Sequence, residues 1–285
     1  MKLRRKSGVV CLLLVGLLLT GCVGKTREAI EKEKEAGIAA MEKEDYKGAI
    51  KHFDKSVEMA GGKVDERVVD TCFYKAAAQY NLGKTEEAIK QYTAIMKYDE
   101  TDPRACFLRG SVYLKEGKTK KALGDYKEAI ARDENNYDMY IMIYRNLAAQ
   151  GYQEKGEAFL EQALDIKGKS KENYLGRGRI YLEMKDYDNA SKQLKKIEDK
   201  NVEEALVLQG DIAMEAKDYE KALEYYQKGL QQKHPSERQK LLRGEIAALE
   251  YTGRFSEAKE KMAEYLKLYP TDTVALQEQI FLNTR

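Results

Sequence analysis

"GKTEEAIKQYTAIMKYDE" fills residues 83–100 and "GKTKKALGDYKEAIARDE" fills residues 117–134. Both open on Gly-Lys-Thr, both close on Asp-Glu, and they lie 34 residues apart. Each places an alanine (Ala88, Ala122) ahead of a tyrosine four residues later (Tyr92, Tyr126). A small residue followed by a large one at that interval lies on one face of a helix, so both stretches predict amphipathic helices. A third copy, "KDYEKALEYYQKGLQQK", fills residues 217–233.

The same anchor recurs along the chain at Ala49, Ala88, Ala122, Gly156, Ala190, Ala222 and Ala258, in steps of 39, 34, 34, 34, 32 and 36 residues. A large residue follows each anchor by four: Phe53, Tyr92, Tyr126, Leu160, Leu194, Tyr226 and Met262. Upstream of the anchors stand small residues, Gly37, Ala76, Gly110, Gly178 and Gly210, and bend glycines, Gly83, Gly117, Gly151 and Gly253. Tyr46, Tyr187, Tyr219 and Phe255 supply an aromatic just after the bend. With no Trp and three Pro in 285 residues, the composition also suits helices.

This pattern resembles the tetratricopeptide repeat, a unit of two antiparallel helices and 34 residues. The resemblance covers residues 30–270 as about seven units and implies an all-α, right-handed superhelical solenoid. No unit can bury its apolar face alone, so neighbouring units must stack. Residues 271–285, opening on Thr271 and Asp272, predict one closing amphipathic helix. Two units depart from the pattern, because Tyr144 and Ile246 replace the small residue of the first helix. Looser or shifted packing is expected at both. Extra residues around 61–65 and near 233–237 predict a hinge or a change of curvature.

The start of the chain has a different character. Lys2, Arg4, Arg5 and Lys6 precede an apolar run from Val9 to Leu19. As a helix that run spans about 17 Å, too short for a hydrocarbon core of about 30 Å. The layout is that of an export signal, and Leu19-Thr20-Gly21-Cys22 resembles the lipobox of bacterial lipoproteins. That resemblance implies cleavage of residues 1–21, a diacylglycerol on the thiol of Cys22, and a short tether over residues 22–29. Two acyl chains hold a protein on a bilayer far better than one. The expected location is the extracytoplasmic face of a cell membrane, with an outer membrane as the alternative in a two-membrane host. The whole chain carries a net charge of +2, and removal of the four cations of the signal leaves −2, so no nucleic-acid partner is expected.

Catalytic chemistry finds little to work with. His52 and His234 are the only histidines, and neither has a ligand neighbour at metal spacing. No nucleophile elbow, phosphate loop or dinucleotide fingerprint is present. Acids alternate with lysines at helical spacing, as on a charged outer face. No enzyme activity, cofactor or small-molecule substrate is therefore expected. Cys72 and Cys106 hold equivalent places on neighbouring first helices. Neighbouring helix axes lie about 8–10 Å apart, too far for a disulfide that needs Cα atoms within about 7 Å; both are expected to be buried thiols.

What remains is a surface. In the repeat family the first helices line the concave face, where peptide or protein ligands lie. The fifth residues of the first helices, Phe73, Phe107, Ile141 and Leu175 among them, predict an apolar ladder there. Tyr80, Asn81 and Ser111 flank it, and Arg145 and Arg179 would receive carboxylates of a peptide. Some members of the family clamp a C-terminal carboxylate with lysine and asparagine. Lys34 matches one element of that clamp, but Ile38, Phe73 and Phe107 occupy its other positions, so the clamp is not expected. The sequence thus points to a membrane-anchored interaction scaffold with a membrane-proximal protein partner. A solute-binding lipoprotein of a transport system is the alternative.

Overall fold

The computed structural model describes residues 27–197, 202–232 and 235–285. The signal, Cys22 and most of the tether lie outside the described residues, as does His234. Among the described residues there are fifteen helices and no strand. They alternate as first and second members of pairs. The pairs are α1 (Arg27–Glu42) with α2 (Tyr46–Met59), α3 (Glu66–Asn81) with α4 (Thr85–Tyr98), and α5 (Arg104–Lys115) with α6 (Thr119–Arg132). Next come α7 (Tyr137–Ala149) with α8 (Gln153–Leu164), α9 (Lys171–Glu183) with α10 (Tyr187–Lys195), and α11 (Glu203–Glu215) with α12 (Tyr219–Leu230). The last pair is α13 (Arg238–Tyr251) with α14 (Phe255–Leu268), and α15 (Thr273–Leu282) closes the described chain. The chain divides into two compact units, one ending at Phe159 and the other beginning at Leu160.

Every pair is joined by the same bend. Its central residue is left-handed in all seven: Gly83, Gly117, Gly151 and Gly253, and also Glu44, Lys185 and Lys217, at φ between 58° and 82°. The three bends without glycine have a compensation. There the next residue is Asp45, Asp186 or Asp218, and its carboxylate caps the second helix by accepting from Gly48, Asn189 or Lys221 N–H. At the glycine bends followed by Lys84, Lys118 and Arg254, no side chain caps the second helix.

Within a pair, the small residue of the first helix lies under the large residue that follows the anchor. A β-carbon on Gly37, Gly110, Gly178 or Gly210 would fall 2.4–2.8 Å from Phe53, Tyr126, Leu194 or Tyr226 respectively. Side chains of these sizes fill the space only because the glycines leave it. Ala49, Ala88, Ala122, Ala190, Ala222 and Ala258 are all fully buried. The two departures are accommodated differently. Tyr144 meets Gly156, where other units carry alanine: a β-carbon there would lie 2.9 Å from the tyrosine ring and 3.1 Å from its carbonyl oxygen. Ile246 is fully buried in a cluster with Ala258 and Met262, whose flexible thioether takes the place of an aromatic ring.

The longer turn at residues 60–65 is held where it enters α3. Asp65 caps α3 through Arg67 and Val68 N–H, and Tyr98 Oη donates to the carbonyl of Val64 at 2.9 Å. At the close of the chain Asp272, one of the two expected caps, accepts from Ala275 N–H and starts α15 at Thr273. Cys72 and Cys106 are buried free thiols, as expected.

Candidate partner-binding face

The residues expected to form the ligand ladder divide by burial. Phe73 is 8 % and Ile141 4 % exposed, so both are packing material between helices. Phe73 lies 6.4 Å from the ring of Tyr92, and the guanidinium of Arg104 lies 4.7 Å over its ring. Phe107 is half-buried, 5.8 Å from Tyr126. Leu175 is half-buried against the cluster of Leu194, Ile197 and Ala205. The polar positions lie further out: Asn81 and Arg145 are exposed or partly so, and Tyr80, Ser111 and Arg179 are half-buried.

The polar residues also contact the protein itself. Ser111 Oγ donates to the carbonyl of Phe107 at 2.9 Å and accepts from Asn146 Nδ2 at 2.7 Å. Tyr80 receives the ammonium of Lys115 over its ring at 5.5 Å, and burial together with the charge of Glu116 holds its phenol above the usual range. Arg145 belongs to the unit ending at Phe159, and Arg179 to the unit beginning at Leu160. Arg179 Nε lies 3.5 Å from Glu204 on the next first helix.

That last contact belongs to a pattern that residue-by-residue reading missed. In α1–α3 and α9–α11, successive first helices are joined by opposite charges. Lys34 bridges Glu31 at 2.6 Å and Asp70 of α3 at 3.1 Å. Burial works against its ammonium, yet hydrogen bonds to those two carboxylates raise its pKa above the usual lysine range. The lysine that would serve a carboxylate clamp is therefore engaged internally. Arg104 bonds Asp102 and also feels the charge of Asp70. The charged residues Glu31, Asp70, Arg104, Asp138, Glu172, Glu204 and Lys240 recur in the opening turns of the first helices, one in every pair. This recurrence was the available signal.

A second charged cluster lies among α4, α5 and α6, around an open cleft of about 470 Å³ lined by residues including Thr93, Met96, Arg109, Glu128 and Arg132. Arg109 makes a two-pronged bond to Asp125, at 2.8 and 2.7 Å, and reaches Thr93 Oγ1 at 2.8 Å. Arg132 donates to the carbonyls of Asp99 and Asp102 at 3.0 and 3.1 Å, closing the turn after α4. Their donors serve the fold.

Reactive chemistry is sparse. Among the described residues no group of three or more His, Cys, Asp or Glu could hold a metal ion. Burial pushes the thiol of Cys72 up to about 12 and that of Cys106 up to about 11. His52, half-buried, bonds Glu33 at 2.9 Å. No helix among the described residues is long and apolar enough to cross a membrane.

Family comparison agrees with this geometry. Tetratricopeptide-repeat models match residues 103–136, the α5–α6 pair, and residues 175–237, from α9 to the turn after α12. A tetratricopeptide repeat protein from Parabacteroides merdae superposes with a TM-score of 0.50 at 15 % identity, over 90 % of this chain and all of that one. PilW, described as a widely conserved type IV pilus biogenesis factor, gives 0.47 at 15 % identity over 76 % of this chain and all of PilW. The pilF protein of Pseudomonas aeruginosa gives 0.43 at 20 % identity over 76 % of this chain and 97 % of its own. No curated protein matches the chain. The matched helix pairs are tetratricopeptide repeats. The chain as a whole has the all-α fold of such repeats, a fold typical of protein–protein interaction scaffolds and not of enzymes.

Proposed function

We propose that this protein is a lipid-anchored scaffold at the cell envelope that binds a peptide or protein segment along its first helices. The observation that carries the reading is the recurring register of seven helix pairs. Within each compact unit it brings the fifth and ninth positions of the first helices onto equivalent places while second helices supply the packing. Among those positions Phe107 and Leu175 offer half-exposed apolar contacts and Arg145 and Arg179 polar ones, with exposed Asn81 four residues beyond the ninth position of its helix. A segment carrying both apolar side chains and carboxylates suits that mixture. Anchoring rests on the basic start, the short apolar run and the Leu19-Thr20-Gly21-Cys22 order. The short tether would hold the array close to its bilayer, which favours a membrane-proximal partner.

Two experiments test this reading separately. Cys22→Ser is expected to move the protein out of the membrane fraction; equal retention of wild type and variant rejects the anchor. Crosslinking in cells, followed by mass spectrometry, is expected to lose its main partner on Arg145→Glu/Arg179→Glu substitution. An unchanged set of partners rejects those arginines as the contact.

A further inference from the structure

One helix pair carries a charge that the total hides. Residues 165–200 hold ten cations against seven acids, a net of +3, whereas residues 22–285 together sum to −2. The signs are also separated along the pair. Three of its acids, Glu183, Asp186 and Asp188, cluster where α9 turns into α10. The opposite end, where the chain enters α9 and leaves α10, presents Lys167, Lys169, Lys192, Lys195 and Lys196, all exposed. Asp165 and Glu172 lie among these lysines, and Glu203 and Glu204 follow them in the chain. The last two serve the fold: Glu203 accepts from the N–H groups of Ser236 and Glu237, and Glu204 lies 3.5 Å from Arg179.

The basic end is held in one shape. Arg177 donates to the carbonyls of Ile166 and Gly168 at 3.1 and 3.0 Å and to Gln193 Oε1 at 3.3 Å, which pins the loop that carries Lys167 and Lys169. Gly168 sits at φ 149°, and a β-carbon there would fall 2.0 Å from Asn173 Oδ1, inside the capping box that Asn173 forms with Ser170. The ring of Tyr174 joins the two elements, with the guanidinium of Arg177 and the ammonium of Lys196 each 5.1 Å from its centroid. Lys192 and Lys195 suit the C-terminus of α10, but Lys169 and Lys171 oppose the dipole of α9. Helix stability therefore leaves those two cations unexplained.

We propose that this basic end docks on the anionic headgroups of a phospholipid bilayer. The inference rests on the lipid anchor proposed above, which keeps a bilayer within reach of the chain. Side-chain type selects the occupant. The exposed cations are lysines, compact charges on flexible stems, which suit a diffuse layer of phosphates. Arg177, whose planar fork would suit a fixed carboxylate, is given over to the loop carbonyls and Gln193. The contact is electrostatic, so salt weakens it.

The test uses the whole protein in vesicles of phosphatidylcholine alone or of equal parts phosphatidylcholine and phosphatidylglycerol. Its amines are labelled with an acylating reagent and read residue by residue by mass spectrometry. In the anionic vesicles Lys167, Lys169, Lys195 and Lys196 should label at least about tenfold more slowly than in the neutral ones. High salt should erase the difference. Lys84, Lys118 and Lys120, exposed in the other unit, should label alike in both. In a Cys22→Ser background, glutamate at all four protected positions should abolish the salt-sensitive binding to anionic vesicles with an unchanged helical signal. The same change at Lys84, Lys118, Lys120 and Lys127 should leave that binding in place. Equal labelling in the two lipids overturns the proposal, as does binding that both sets of substitutions affect alike. Protection of the four lysines in cells but not in anionic vesicles would assign this end to an acidic protein and equally overturn it. Release of the acylated protein from both kinds of vesicle by high salt would refute the anchor alone, since labelling at low salt still reads the lysines.

Discussion

Gly156 on α8 packs against Tyr144 on α7, with room for no side-chain atom between them. In the other glycine-bearing units the small residue sits on the first helix, under a large residue of the second. Here the small partner has moved to the second helix and the large one to the first. At this point the roles are exchanged: the close approach is made by a glycine of the second helix beneath a tyrosine of the first.

This exchange fixes the sign of one substitution. On propensity alone, Gly156→Ala in mid-helix should stabilise by up to about 1 kcal/mol. The new β-carbon would lie 3.1 and 3.2 Å from the carbonyl oxygen and α-carbon of Tyr144, which are backbone and cannot swing away. Overpacking should win, with a net loss of about 1–3 kcal/mol. Urea denaturation of wild type and variant decides; a more stable variant would refute the close contact.

The seven bends offer a matched pair of tests. Gly117 sits at φ 70° with nothing within 4 Å of a would-be β-carbon, so Gly117→Ala meets only conformational strain, about 1 kcal/mol. Lys217, at φ 59°, already bears that strain. Lys217→Gly should relieve it, less the greater entropy glycine gains on unfolding, for a net gain of about 0.5 kcal/mol. Thermal melts of the two variants should move in opposite directions.

Stability should also depend on pH through the docking of α15. Glu250 on α13 has its pKa pushed up to about 7 by burial and by the charge and hydrogen bond of Glu278, against the pull of Arg243. Its carboxyl takes up a proton on folding. The corresponding stability is present below its ordinary value of 4.5 and is lost as pH rises through about 7. Glu250→Gln, neutral throughout, should flatten this fall and be more stable than wild type above that range. Melts across the pH range that show parallel wild-type and variant curves would argue against the raised Glu250 carboxyl.

The ion pair between Arg109 and Asp125 is mostly buried, at 18 % and 10 % side-chain exposure. Asp125→Ala leaves a guanidinium without its two-pronged partner inside the protein and should cost about 3–5 kcal/mol. Removing both partners together, with Arg109→Met and Asp125→Leu, should cost much less. Equal losses in the single and double variants would mean that packing volume, not charge, matters there.

Much of the fold was legible because its rules are local and repeated. Ala88 with Tyr92, Ala122 with Tyr126 and the bend glycines each follow from helical spacing or backbone sterics, and repetition made each visible several times. The candidate face was less legible. Phe73 and Phe107 hold the same place in the repeat, yet the first is buried under Arg104 and Tyr92 while the second is half-exposed. That difference depends on the neighbouring repeat, outside the periodicity within one.

By itself the sequence determined the all-helical repeat, its register, the presence of a cap at Thr271 or Asp272 before the last helix and the burial of both unpaired thiols, since these depend on spacing along one chain. Only the tertiary structure decided how Tyr144 and Ile246 are housed and which charges join successive first helices. The physical reason is that exposure is a property of what lies across from a side chain, and in stacked helix pairs what lies across comes from some sixteen to thirty-six residues away.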